Sequence, residues 1–186
     1  LLTSLPALQS IGPMTRFSTK VMAEGDRLTL VGGGDPFLAS TPAAAKGRYP
    51  ARADAATLAR RTATALLAKG IARVRLSYDA SLFTGPGINP RWPAGYVPDS
   101  VVPPISALWV DEGKVDHRFV SQPAAVAGQS FARSLAKAGI KVVGPVRPGR
   151  ASAAAEQIAE MKSAPVGEIV QHTLAVSDNN AAEVLA

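Results

Sequence analysis

A short strand that runs straight into three glycines limits what this chain can become. Arg27-Leu28-Thr29-Leu30-Val31 reads as a strand, and Gly32-Gly33-Gly34-Asp35-Pro36 follows at once. Glycines after a strand mark a sharp turn or a close backbone approach. They can also cradle phosphate. The rest of that chemistry is missing, because there is no G-x-G-x-x-G and no Gly-Lys-Ser/Thr, and Pro36 follows directly. The segment is therefore read as a turn leaving a strand.

Working outward from that turn gives the element order. Arg16 to Val21 alternates like a strand, and Glu24-Gly25-Asp26 is a turn, so residues 16–31 form a hairpin. Leu1 to Gln9 reads as a helix interrupted near Pro6 and closed by Gly12-Pro13. Asp54 caps a helix that runs to about Lys69, with Gly70 just beyond. Ala72 to Tyr78 is a strand, and Thr84 to Pro104 is a long loop rich in Pro and Gly. Ala107–Val110 and Val115–Phe119 are expected to pair about a turn at Glu112-Gly113. Pro123 to Ala138 is the clearest helix, with Ala124, Ala127, Phe131, Leu135 and Ala138 in one stripe and Gly139 at its end. Lys141 to Val143 is a short strand. Ala154 to Lys162 fits either period. Val166–Leu174 and Asn179–Leu185 read as helices with a polar break between them. Hairpins mixed with scattered helices mean an α+β fold.

Composition closes off several functions. Hydrophobic residues make up 47% of the 186, which suits a packed protein and excludes a disordered one. Aromatics are only 5%, so the core must rest on Ala, Val, Leu and Ile. There is no cysteine, which removes disulfides and thiolate metal sites. His117 and His172 are the only histidines, and no HExxH or H-x-E spacing exists. No metal or organic cofactor is implied. No apolar run is long enough to span a bilayer. The net charge of +6 gathers in Lys46, Arg48, Arg52, Arg60, Arg61, Lys69, Arg73 and Arg75. Such a run usually makes a solvated face, and no aromatics interleave with it, so nucleic acid is not expected as a partner.

Two stretches carry possible chemistry. Ser134-Leu135-Ala136-Lys137 is a literal S-x-x-K, but it sits in an ordinary core-striped helix and reads as a chance match. Ser177-Asp178-Asn179-Asn180 sets four polar residues between two apolar helices. One reading is an N-cap for the second helix. The other is an S-x-N element, whose hydroxyl passes a proton to a leaving amine while its carboxamide holds a peptide backbone. The tripeptide alone leaves both open.

Their order along the chain carries a family resemblance. Ile11-Gly12-Pro13-Met14-Thr15-Arg16-Phe17-Ser18-Thr19, then Leu30-Val31-Gly32-Gly33-Gly34-Asp35-Pro36-Phe37-Leu38, then Ile105-Ser106-Ala107-Leu108, come first. Phe131 to Ile140 with Gly144-Pro145-Val146 follows, and Ser177-Asp178-Asn179-Asn180-Ala181-Ala182-Glu183 closes the set. Together they resemble the class C low-molecular-mass penicillin-binding proteins, the DacB-like D-alanyl-D-alanine carboxypeptidases and endopeptidases.

The resemblance implies a β-lactamase/transpeptidase-like catalytic domain split by an inserted α/β region. Residues 1–20 would belong to the catalytic domain, 21–149 to the insertion, and 150–186 to the catalytic domain resumed. It implies a serine-type D-Ala-D-Ala carboxypeptidase of peptidoglycan remodelling with an acyl-enzyme mechanism, secreted to the cell envelope. The partners would be stem peptides ending in D-Ala-D-Ala and β-lactam antibiotics. Ser177 and Asn179 would be catalytic, and the loop of Trp92, Tyr96 and Asp99 would shape the pocket for the substrate side chain. The nucleophile with its lysine would precede Leu1, and the Lys-Thr-Gly strand would follow Ala186. The chain is then expected to be an inactive piece of a longer protein. The competing expectation is a non-enzymatic envelope module that binds peptidoglycan or a partner protein.

Overall fold

The computed structural model describes residues 4–99 and 101–186, so Leu1–Thr3 of the expected first helix and Ser100 of the long loop lie outside it. In chain order the elements are α1 (Ser4–Ser10), β1 (Arg16–Glu24), β2 (Arg27–Val31), α2 (Pro42–Ala45), α3 (Ala55–Ala68) and β3 (Arg73–Asp79). Then come β4 (Lys114–Val115), β5 (Arg118–Phe119), α4 (Pro123–Lys137), β6 (Lys141–Val142), β7 (Arg147–Pro148), β8 (Glu156–Pro165), α5 (Val166–Val176) and α6 (Asn179–Leu185). The α+β expectation holds. None of these helices is long and apolar enough to cross a membrane.

One mixed sheet organises the chain. Its strand order is β6-β3-β2-β1-β8, with β7 beside β3. The hairpin β1–β2 forms as expected, and β8 pairs antiparallel with the other edge of β1. On the opposite flank β2, β3 and β6 run parallel, linked by the crossover helices α3 and α4. Alternation sends Val21, Leu28, Leu30, Val74, Leu76 and Ala159 to one face, where they pack with Leu58, Leu66, Phe131 and Leu135 of α3 and α4. Asp54 caps α3 by accepting the Thr57 N–H at 2.7 Å. The ambiguous stretch near residue 160 is the strand β8. The expected boundary between residues 20 and 21 falls inside β1, whose ladder runs unbroken from Lys20 to Val21 against β2.

The expected hairpin about Glu112-Gly113 is corrected. Ala107–Val110 is no strand, and the pairing is the small β4–β5 ladder, which turns at Asp116 and His117. Both turn residues have left-handed φ, 48° and 64°, which suits a two-residue hairpin. Asp111 and Glu112 are left-handed too, at 51° and 59°, and this breaks any strand leaving Val110. Ala107–Val110 is buried for another reason, because it crosses the glycine turn. The Gly34 N–H donates to the Ala107 carbonyl at 2.9 Å, and a Cβ on Gly32 would stand 2.4 Å from that same oxygen. The glycines serve close backbone packing, as a turn reading requires.

A second, smaller core lies beyond β8. It joins Ala7 of α1, Phe37, Ala164, Ile169 and Val170 of α5, and Ala181 and Leu185 of α6. Three members of the charged run are paired with carboxylates. Arg52 pairs with Glu112, Lys69 with Glu156 and Arg75 with Asp26.

Candidate active site hinge

The polar break between α5 and α6 is a hinge one residue deep. Ser177 ends α5 in the left-handed region, at φ 55° and ψ 46°, and its N–H donates to the Thr173 carbonyl. The Asp178 N–H donates to the same carbonyl at 3.0 Å. Two amides on one carbonyl close α5 tightly. A non-glycine residue in that conformation costs about 1 kcal/mol, and such strain gathers at functional sites.

The two readings of the break separate by residue. Asp178 is the N-cap of α6, and its Oδ1 accepts the Ala181 N–H at 3.0 Å. Capping therefore leaves Ser177 and Asn179 uncommitted. Both are exposed, and among the described residues neither side chain makes a hydrogen bond. Asn180 turns the other way and is buried, with its Oδ1 unpaired among the described residues. The hinge thus offers a hydroxyl and a carboxamide to solvent, two residues apart, with α5 and α6 held by the smaller core behind them.

The Trp92 loop lies near the far end of the same helix. A cavity of about 570 Å³ is lined by Trp92, Phe83, Asn89 and Ile105 on one side and by Glu183 and Val184 of α6 on the other. Phe83 reaches the glycine turn, since a Cβ on Gly34 would lie 3.2 Å from its ring. Trp92 and Tyr96 face each other with ring centroids 6.5 Å apart. Asp99 is exposed, and its N–H donates to the Gly95 carbonyl at 2.8 Å. The structure thus brings Trp92 to α6, but neither hinge side chain lines the cavity, and neither Tyr96 nor Asp99 does.

Ser134 donates to the Ser130 carbonyl at 3.1 Å, so its hydroxyl is spent within α4. A family model for the D-Ala-D-Ala carboxypeptidase 3 (S13) family matches residues 1–122 and 115–186. The chain belongs to that S13 family. A carboxypeptidase of Mycobacterium tuberculosis is 29% identical over 194 residues, the whole of this chain and 40% of that protein. The carboxypeptidase DacB of Mycolicibacterium smegmatis is 29% identical over 193 residues, again 40% of its length. This S13 chain therefore spans about 40% of the curated relatives it matches. Penicillin-binding protein 4 of Haemophilus influenzae shares the fold over 99% of this chain and 54% of its own, with a TM-score of 0.73 and 16% identity. A second structure of that protein, in complex with a β-lactam, superposes with a TM-score of 0.57.

Several residues around the S13 hinge escape sequence reasoning. Phe37 sits edge-on to His172 of α5 at 5.3 Å, and Tyr49 flanks the same ring at 6.2 Å. Arg52 lies 4.9 Å above the Phe37 ring. Asp35 is 6% exposed and accepts the Phe37 N–H at 2.9 Å. Burial pushes its carboxyl up from 3.8 to about 6, opposed by the Phe37 N–H and by nearby Arg52. The glycine signature was the available signal for Asp35 and Phe37. No local pattern announces His172, the partner of Phe37 135 residues away.

Proposed function

We propose that this chain supplies the S-x-N element of a serine D-Ala-D-Ala carboxypeptidase that trims peptidoglycan. One observation carries the reading. Asp178 does the capping, so Ser177 and Asn179 are left exposed on a strained hinge.

In the proposed reaction a serine Oγ attacks the carbonyl between two D-alanines of a stem peptide. The C–O bond of an acyl-enzyme forms and the C–N bond to the terminal D-alanine breaks. The serine's proton moves through its lysine partner and the Ser177 hydroxyl to the departing amine. The Asn179 carboxamide donates to a substrate carbonyl and accepts from a substrate amide. Water then releases the acyl group. A β-lactam enters the same first step. The attacking serine, its lysine and the Lys-Thr-Gly strand would come from chain outside these 186 residues. Residues 1–20 and 150–186 then belong to the catalytic domain and 21–149 to its insertion, with β1 running across the first join. Trp92, with Tyr96 and Asp99 of the same loop standing outside the cavity lining, shapes the pocket for the substrate side chain, and the protein works outside the cytoplasmic membrane, in the cell envelope.

The test uses the whole protein and a fluorescent penicillin. Asn179→Ala slows acylation at least tenfold, a loss of about 1.4 kcal/mol of transition-state stabilisation. Unchanged acylation removes Asn179 from the site. A wild-type protein that takes no label on serine would instead point to an envelope-binding module.

A further inference from the structure

We infer that Phe37 is a positioning residue for Ser177, acting through the ring of His172. The inference rests on the catalytic reading of the hinge and adds to it the part that sets where the hinge stands.

The glycine turn is packed tightly against its neighbours. Gly32 and Gly33 are pressed against the Ala107 and Ser18 carbonyls with no room for a Cβ. The next three residues are tied down from two sides. The Asp35 carboxyl accepts the Phe37 N–H at 2.9 Å, and the indole N–H of buried Trp109 donates to the Pro36 carbonyl at 3.1 Å. Phe37 therefore projects from a fixed base, 2% exposed, into the core shared by α5 and α6.

Its ring is held by two neighbours. The Arg52 guanidinium covers it at 4.9 Å and is itself anchored to Glu112 at 2.9 Å. Its other neighbour is His172, in an edge-to-face contact with an interplanar angle of 82°. Tyr49 closes on His172 from beside it, and its hydroxyl bonds the side chain of Gln171. The penultimate turn of α5 is thus gripped by aromatic edges. Ser177 follows five residues later, and the Thr173 carbonyl ties both Ser177 and Asp178 back to that turn. A tilt of α5 would carry the hydroxyl with it. Misplacement of a reacting group by about 1 Å costs rate steeply.

The alternative is that Phe37 only fills space. Phe131, equally buried in the larger core, serves as the control. In the whole protein, acylation by a fluorescent penicillin is followed together with the fraction of protein finally labelled, so that unfolded molecules are counted separately. Phe37→Leu is expected to slow acylation at least tenfold while nearly all molecules still label. His172→Ala behaves alike, and His172→Phe, which restores an aromatic edge, recovers most of the rate. Phe131→Leu lowers the melting temperature without slowing acylation. Phe37→Leu reacting at the wild-type rate, or Phe131→Leu slowing as much, overturns the inference. Ser177→Ala is run beside them. If it slows acylation while Phe37→Leu does not, only the positioning role fails. If it reacts like wild type, the catalytic reading of the hinge fails and the positioning role with it.

Discussion

Gly33 lies so close to Ser18 that a Cβ added to it would stand 2.1 Å from the Ser18 carbonyl oxygen. Both groups are backbone, in the turn and in β1, so no side chain can move aside. Gly33→Ala is expected to cost about 3 kcal/mol or more, or to prevent folding. Gly25, at φ 58° with nothing within 4 Å of a Cβ, isolates the conformational part. Gly25→Ala should cost about 1 kcal/mol. Denaturant titration of the two variants checks the contrast, and equal losses would contradict it.

Asp35 gives stability an unusual pH dependence. Its folded pKa, about 6, lies above the ordinary 3.8, so the folded state holds the proton more tightly. The resulting stability is present below the lower value and is lost as pH rises through the upper one. A difference of that size is worth about 3 kcal/mol at neutral pH. Asp35→Asn keeps an acceptor for the Phe37 N–H and cannot ionise. Relative to wild type, it should therefore gain melting temperature steadily between pH 4 and pH 7. Parallel curves for the two proteins would refute this.

Stability and catalysis should come apart at the hinge. Asp178→Ala removes the cap of α6 and should cost about 1 kcal/mol, which Asp178→Asn largely restores. Asn179→Ala touches an exposed side chain and should shift stability by less than about 0.5 kcal/mol. Penicillin acylation should nonetheless fall tenfold. Thermal melts and labelling on the same samples decide.

The Trp92 loop offers a fourth test. Trp92 lines the cavity beside α6 while Tyr96 and Asp99 stand outside its lining. Trp92→Ala in the whole protein should change the preference among stem peptides with different side chains more than it changes acylation by a small penicillin. An unaltered preference would remove the loop from substrate recognition.

Much of the fold is written locally. Asp54 and Gly70 bracket α3, and the stripe through Phe131 and Leu135 marks α4, because caps and apolar spacing act over a few residues. β8 was ambiguous because its pairing partner is β1, far away in sequence, and its own burial does not alternate cleanly. Ala107–Val110 does not pair with Val115–Phe119, because Asp111 and Glu112 adopt left-handed φ, which local sequence does not announce in such residues. At the site, Ser177 and Asn179 are legible as a motif. Which residue caps α6 is not, since Ser, Asp and Asn all cap well. The contact between Phe37 and His172 exists only once the sheet has assembled.

That assembly has an order imposed by topology. β1 must wait for β8, which leaves the ribosome some 140 residues later, before both its edges are paired. During synthesis one edge of the hairpin stays open, while the parallel flank can already close through α3 and α4. The nascent chain thus carries a sticky strand edge until β8 is made. Lys20 and Glu24, on one face of β1, place charge along that open strand. Release of the chain anywhere before residue 156 would leave β1 with an unpaired edge and so yield a product prone to self-association.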